Sequence, residues 1–253
     1  MSDHDLDYQR RFGGIARLYG DAALSRFENA HLCVIGIGGV GSWAVEALAR
    51  SAVGHLTLID LDHVAVSNIN RQLHALTPTL GQAKVSAMAE RVRAINPRVQ
   101  ISEIDDFLTE DNLPTLIDGR HTMVIDCIDQ MRVKVALIAH CRRQHIPLLV
   151  SGGAGGRVDA GRVQIADLAQ TEGDPLLAKI RAELRRRHGF PRDGGKFGIE
   201  AAFSSETLRR PGNACTTDSG PTGLNCAGFG SSVCVTAAFG FALAGRALNR
   251  IAG

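Results

Sequence analysis

The chain of 253 residues has little net charge: 28 Lys and Arg stand against 26 Asp and Glu, a formal balance of +2. A nucleic-acid surface therefore has to be local rather than spread over the molecule. Six cysteines (Cys33, Cys127, Cys141, Cys215, Cys226 and Cys234) form no C-x-x-C pair. That excludes the usual spacing of a structural zinc site and gives no disulfide framework. Those in apolar runs are expected to be plain core residues. No secretory signal opens the sequence, so a reducing cytoplasm is the expected compartment. There is no internal repeat, no low-complexity tract and no composition break that would mark a domain boundary. The expectation is one domain over 1–253, with an N-terminal arm over 1–30 and a basic, irregular region over about 175–225. The one long uncharged run, 226–245, is about as long as a membrane span. Its Gly, Ala, Ser and Thr content suits a closely packed core helix better than a membrane anchor.

What is present is organised around residues 31–60. The apolar run Leu32 to Ile35 reads as a short buried strand. It is followed by Gly36, Gly38, Gly39 and Gly41, a helical stretch Ser42 to Arg50, and a second apolar run, Leu56 to Ile59, that ends in Asp60. Glycines allow a sharp turn and a close backbone approach to phosphate. The helix start adds free N–H groups and a partial positive charge. An acid at the tip of the second strand can hold a ribose hydroxyl. This stretch binds a nucleotide, and by itself it leaves open a dinucleotide or ATP.

The next loop carries Asp62, Asn68, Arg71 and Gln72, with Arg71 able to offer a bidentate guanidinium to phosphate. Residues 81–95 have helical periodicity with Lys84 in the first turn, against the helix dipole. A bound phosphate would explain that lysine, and a solvated lysine is the alternative. Val99 to Ile104 alternates like a strand, a short helix is expected over 111–117, and Met123 to Asp129 reads as a buried strand. Asp129 should share its edge with Asp60 and the glycine turn and suits magnesium beside a nucleotide. Asp126, within the strand, is expected to be structural. A helix follows over 132–145, then a strand over 147–150. The run Ser151 to Gly156 either lines a substrate cleft or leads into a hairpin, since 156–165 alternates like an antiparallel strand. The cluster Lys179, Arg181, Arg185, Arg186, Arg187, Arg192 and Lys196 is either a footprint for a phosphate backbone or a solvated helix face. Residues 189–225 look loop-like. At the N-terminus a polar, flexible start leads to Arg10, Arg11 and Arg17 around Gly13-Gly14, then a short helix over 21–29. This is an ordinary arm, or one that carries an arginine to phosphate in a partner subunit.

Four separated features stand together: Gly36-x-Gly38-Gly39-x-Gly41; Asp60-x-Asp62 with Ser67-Asn68-x-x-Arg71-Gln72; Lys84; and Asp126-Cys127-x-Asp129. The combination resembles the adenylating enzymes related to ubiquitin activation, of the ThiF, MoeB and HesA type. The resemblance implies an α/β, Rossmann-like and mostly parallel sheet flanked by helices, with antiparallel strands and an irregular basic region in the C-terminal part. It implies that the glycine turn cradles ATP phosphates and that Asp60 holds the ribose. Asn68, Arg71, Gln72 and Lys84 would bind the triphosphate, with Asp62 beside them, and Asp129 would position magnesium. It also implies a homodimer in which an N-terminal arginine crosses to the other site, Arg17 being favoured over Arg11. The stretches RRFGGIARLYG, VSGGAGG and GFGSSVCVTAAFGF are similar to the branch that dehydrates N6-threonylcarbamoyladenosine beside the anticodon of tRNA. For that branch the implied partner is tRNA, held by the basic cluster, and Cys215, Cys226 and Cys234 are either spectators in core or loop packing or, less favoured, a covalent catalyst. The missing C-x-x-C pairs favour it over activation of the C-terminal glycine of a sulfur-carrier protein, the alternative kept. The resemblance leaves open sulfur-transfer partners and a monovalent cation near Ser151–Gly156. A nicotinamide-dependent oxidoreductase, suggested by the glycine turn alone, is disfavoured by Arg71, Lys84 and Asp129.

Overall fold

The computed structural model describes residues 3–209 and 229–253. Cys215 and Cys226 lie outside the described residues, as do 226–228 of the uncharged run. Among the described residues, seven strands form one sheet: β1 (His31–Ile35), β2 (His55–Ile59), β3 (Gln100–Ile104), β4 (Met123–Asp126), β5 (Leu148–Ser151), β6 (Val163–Asp167) and β7 (Glu200–Ser204). Their order is β3-β2-β1-β4-β5-β7-β6, parallel throughout except for the β6–β7 pair. Around them lie α1 (Asp3–Tyr19), α2 (Asp21–Asn29), α3 (Gly41–Arg50), α4 (Lys84–Ile95), α5 (Leu113–Leu116), α6 (Met131–Gln144), α7 (Pro175–Arg187) and α8 (Val233–Ala252).

Strand alternation divides the core into two faces. Leu32 and Val34 of β1, Ile125 of β4 and Leu149 of β5 pack under α2, α3, α4 and α8. Cys33, Ile35, Val124, Leu148 and Val150 pack under α5, α6 and α7. The order of strands reverses between β1 and β4, since β1 continues to β2 through α3 and β4 to β5 through α6. In such Rossmann-like sheets the crevice at the carboxyl ends of the two strands is where ligands bind.

Three expectations are corrected. The N-terminus is not a flexible lead-in to a short helix: α1 runs unbroken through Gly13 and Gly14. Each of those glycines weakens a helix by about 1 kcal/mol relative to Ala. Burial of Tyr8 and Phe12, with ring centroids 4.8 Å apart and Arg98 stacked 4.2 Å above Tyr8, offsets the loss. The supposedly loop-like stretch after 189 contains β7, a buried central strand. The antiparallel strand expected after Gly156 exists as β6, but it pairs with β7, so the glycine run is no lead into a β5–β6 hairpin.

From Val233 the uncharged run forms α8, a packed helix, with 229–232 leading into it. A Cβ on Gly240 would lie 2.6 Å from the Val40 carbonyl oxygen and 2.8 Å from Trp43 Cβ, so α8 meets the start of α3 at backbone contact. Among the described residues no helix is long and apolar enough to cross a membrane.

Candidate active site

The glycine turn closes the crevice. Gly36 adopts φ +85°, and a Cβ there would sit 3.0 Å from the Cys127 carbonyl. A Cβ on Gly41 would fall 1.9 Å from the Gly36 oxygen. Only glycine allows the turn to fold back so tightly onto β4. No side chain caps α3; Ser42 N donates to the Gly38 carbonyl and Ala44 N to that of Val40, both at 3.1 Å, and the other N–H groups of the first turn stand at the phosphate turn for an anion. A Cβ on Gly39 would lie 3.2 Å from Arg71 Cγ, and one on Gly38 3.9 Å from Gln72 Nε2. The loop residues thus lie directly over the turn.

Asp60, at the tip of β2, accepts from Ile37 N at 2.6 Å and from Asp62 N at 2.9 Å. Burial pushes its carboxyl up, against the pull of Lys84 and these N–H groups. The solvated reading of Lys84 fails: its side chain is 6% exposed and its Nζ lies 2.7 Å from Asp62 Oδ2. Asp62 is 58% exposed, so its carboxylate keeps a face toward solvent. Arg71 donates from Nη1 to the Ser67 carbonyl at 2.8 Å and to Asn70 Oδ1 at 3.0 Å, while the Trp43 indole N–H donates to the Arg71 carbonyl at 3.0 Å. Its Nε and Nη2 have no hydrogen-bond partner among the described residues. Asn68 is buried and accepts from Ala65 N at 2.9 Å. Gln72 is buried with no partner for its amide oxygen among the described residues.

Sequence reasoning does not reach two of the neighbours. His74 is buried, both its ring nitrogens lack partners among the described residues, and burial together with Lys84 lowers its pKa to about 4. A single histidine in a loop gives no sequence signal. Lys134, in the first turn of α6, is fully buried and lies 2.8 Å from Asp126 Oδ2, which is also fully buried. Asp126 Oδ1 accepts from Ile128 N at 3.0 Å. Asp126 is structural in this sense: with Lys134 it fixes the turn that leads from the carboxyl end of β4 to half-buried Asp129. Burial pushes the Asp126 carboxyl up and Lys134 opposes it. It also raises the Cys127 thiol to about 12.

Among the described residues no group of three or more metal-ligating side chains is assembled. Magnesium beside a polyphosphate needs only one or two carboxylates, the phosphates supplying the rest. Asp129 fits that requirement.

The candidate N-terminal arginines separate clearly. Arg11 is spent on Asp7 at 2.7 Å and on the carbonyls of Ala94 and Ile95, both at 3.1 Å, where it caps α4. Arg17 is exposed, without an ion pair among the described residues, and beside Leu18, which is 74% exposed. The basic cluster does not form one face. Arg181 turns to Thr171 Oγ1, and Arg185 to the Pro191 carbonyl at 3.1 Å and the Phe197 ring at 5.2 Å. Arg186 and Arg187 share Glu183, and Arg192 donates to the Arg185 carbonyl at 3.3 Å. Lys179 and Lys196 are exposed. The glycine run is held rigidly: Asp174 accepts from Gly153 N at 2.8 Å and caps α7 through Leu177 N at 3.0 Å. Buried Arg157 donates to the Gly173 carbonyl at 3.0 Å.

The sequence profile of the ThiF family matches residues 8–239. The chain is 49% identical over 252 residues to the tRNA threonylcarbamoyladenosine dehydratase of Escherichia coli, covering 96% of this chain and 94% of that protein. Its counterpart in Haemophilus influenzae is 47% identical, covering 97% and 94%. The molybdopterin-synthase adenylyltransferase of Salmonella typhimurium is 35% identical over only 68% of this chain and 67% of that protein. The solved E. coli dehydratase in complex with ATP superposes with a TM-score of 0.89 at 47% identity, over 99% of this chain and 96% of that one, and its AMP complex gives 0.88. The chain belongs to the ThiF family, whose profile takes in the glycine turn, the Arg71 loop, Lys84 and Asp129 alike.

Proposed function

We propose that this protein is an ATP-dependent dehydratase of N6-threonylcarbamoyladenosine in tRNA. The observation that carries the reading is one crevice in which Arg71 crosses Gly39, Lys84 backs Asp62 and Asp60, and the Asp129 turn abuts Gly36. The close relatives named above supply the substrate.

In this mechanism the turn Gly36–Gly41 and the start of α3 hold the ATP phosphates, and Asp60 holds the ribose through its remaining lone pairs. Arg71, Asn68, Gln72 and Lys84 bind the triphosphate and stabilise the negative charge that grows as pyrophosphate leaves, which is electrostatic catalysis by preorganised donors. Asp129 would hold magnesium, which supplies charge neutralisation to the phosphates. The threonyl carboxylate attacks the α-phosphate and becomes an acyl-adenylate. The carbamoyl group of the same side chain then closes on the activated carbonyl and AMP departs. Tethering makes the effective concentration of the attacking group high, so no enzyme nucleophile is required. Cys33, Cys127 and Cys141, whose thiols burial pushes up, are poor nucleophiles in any case. The chain acts as a homodimer in which Arg17 reaches the partner's phosphates, a role that the commitment of Arg11 to α4 leaves to it. The exposed basic residues Lys179, Arg186, Arg187, Arg192 and Lys196 contact the tRNA backbone.

Mass spectrometry of tRNA nucleosides after incubation with ATP and magnesium tests the reading. Loss of one water from threonylcarbamoyladenosine, with AMP and pyrophosphate released, is expected. An unmodified nucleoside with ATP intact would overturn it.

A further inference from the structure

The carboxyl ends of α6 and α7 meet at the edge of the sheet opposite the crevice. Between them is a groove of about 460 Å³ lined by Arg142, Arg143, His145, Arg187, His188 and Phe190. No carboxylate lines it. The Arg142 guanidinium carbon lies 4.0 Å from the centre of the Phe190 ring, a cation–π contact that holds the cation in the groove. Arg143, His145 and His188 are exposed and have no ion pair among the described residues. Glu183, the acid on this part of α7, is taken by Arg186 and Arg187.

Bases at a helix carboxyl end are ordinarily explained by the helix dipole, an effect of about 0.3–1 kcal/mol confined to the last turn. Here two adjacent ends carry Arg142 and Arg143 on one side and Arg185, Arg186 and Arg187 on the other. Like charges so grouped repel one another, and the dipole does not account for all of them. A polyanion would. From the groove α7 runs back toward the glycine run that follows β5. Lys179, Arg186 and Arg187 stand exposed along α7, whose first turn is tied through Asp174 to Gly153 of the glycine run. The 14 residues of α6, which starts two residues after Asp129, put the groove about 21 Å from the site. A single phosphate spans neither the groove nor that path, whereas a nucleic-acid backbone spans both.

We propose that this groove, with Arg142 and Arg143 as its principal contacts, grips the phosphate backbone of the tRNA away from the nucleotide being modified. The inference rests on the tRNA reading above. It assigns recognition of the body of the tRNA to the edge of the sheet remote from ATP.

The test is binding of full-length tRNA and of the isolated anticodon stem-loop to the parent protein and to the Arg142→Ala/Arg143→Ala variant, over a series of salt concentrations. An ATP titration establishes that the variant is folded. The variant should bind full-length tRNA about tenfold more weakly, with a salt slope reduced by about 2, one for each phosphate no longer neutralised. Its binding of the stem-loop should be unchanged. The inference is overturned if affinity and slope for full-length tRNA match the parent. It is also overturned if both RNAs are weakened equally, which would place the effect in the crevice. A parent protein that binds neither RNA would instead defeat the tRNA reading itself. Charge reversal by Arg143→Glu alone gives a second measure, with a larger loss for full-length tRNA expected than from Arg143→Ala.

Discussion

At the carboxyl edge of the sheet, Lys84 and Lys134 have side chains 6% and 0% exposed and lie 2.7 and 2.8 Å from Asp62 and Asp126. At the opposite edge Arg142, Arg143, His145 and His188 stand in solvent with no carboxylate lining their groove. Removing charges from water is expensive, and a buried pair often stabilises a fold less than apolar residues of the same size would. Its use at the crevice is positional, because Asp126 holds the turn that presents Asp129. The remote cations sacrifice little hydration and keep their charge for a partner. One edge fixes geometry and the other supplies an electrostatic field.

The contrast can be broken by mutation. The largest loss of stability is expected for Lys134→Ala, which strands Asp126 without compensation: about 3–5 kcal/mol by urea unfolding. The double replacement Lys134→Met/Asp126→Leu should recover much of that stability while leaving activity low, because the Ile128 N–H loses its acceptor. Next, Arg71→Ala should lower kcat about 10²–10³-fold with little change in stability, measured by pyrophosphate release. A third effect is a pH dependence. His74 in the folded protein titrates near 4, below its ordinary 6.5. Between those values the unfolded chain binds more protons than the folded one, so stability present above pH 6.5 is lost as pH falls toward 4. For so buried a ring the loss is roughly 3 kcal/mol, and His74→Gln should flatten the curve measured by denaturant titration. The smallest effect belongs to the exposed edge: Arg186→Ala should shift stability by at most about 0.5 kcal/mol.

How much of this is legible in the sequence depends on how local each determinant is. The strand, glycine turn, helix and strand over 31–60 announce themselves because Gly36 and Gly41 solve a backbone problem within six residues. The β7 strand escapes because Glu200–Ser204 is short, lies among glycines, and exposes neither face, so it lacks the apolar–polar alternation of a half-buried strand. The continuity of α1 depends on burial of Tyr8 and Phe12 against other elements, and the two glycines mask it. Lys84 and Asp129 can be singled out as residues with chemistry. That Lys84 is buried on Asp62, or that Lys134 braces the Asp129 turn, requires distances that no linear spacing encodes. The same holds for Arg11 and Arg17. The sequence leans to Arg17 without showing why, and it is the position of α4, which takes up Arg11, that separates them.

The contact between Gly240 and the start of α3 joins residues two hundred positions apart in the chain. A methyl group at 240 would have to push α3, and with it the phosphate turn, out of place. A genetic screen for weakened ATP use would therefore recover Gly240 alongside Gly41, although the two glycines belong to elements at opposite ends of the chain.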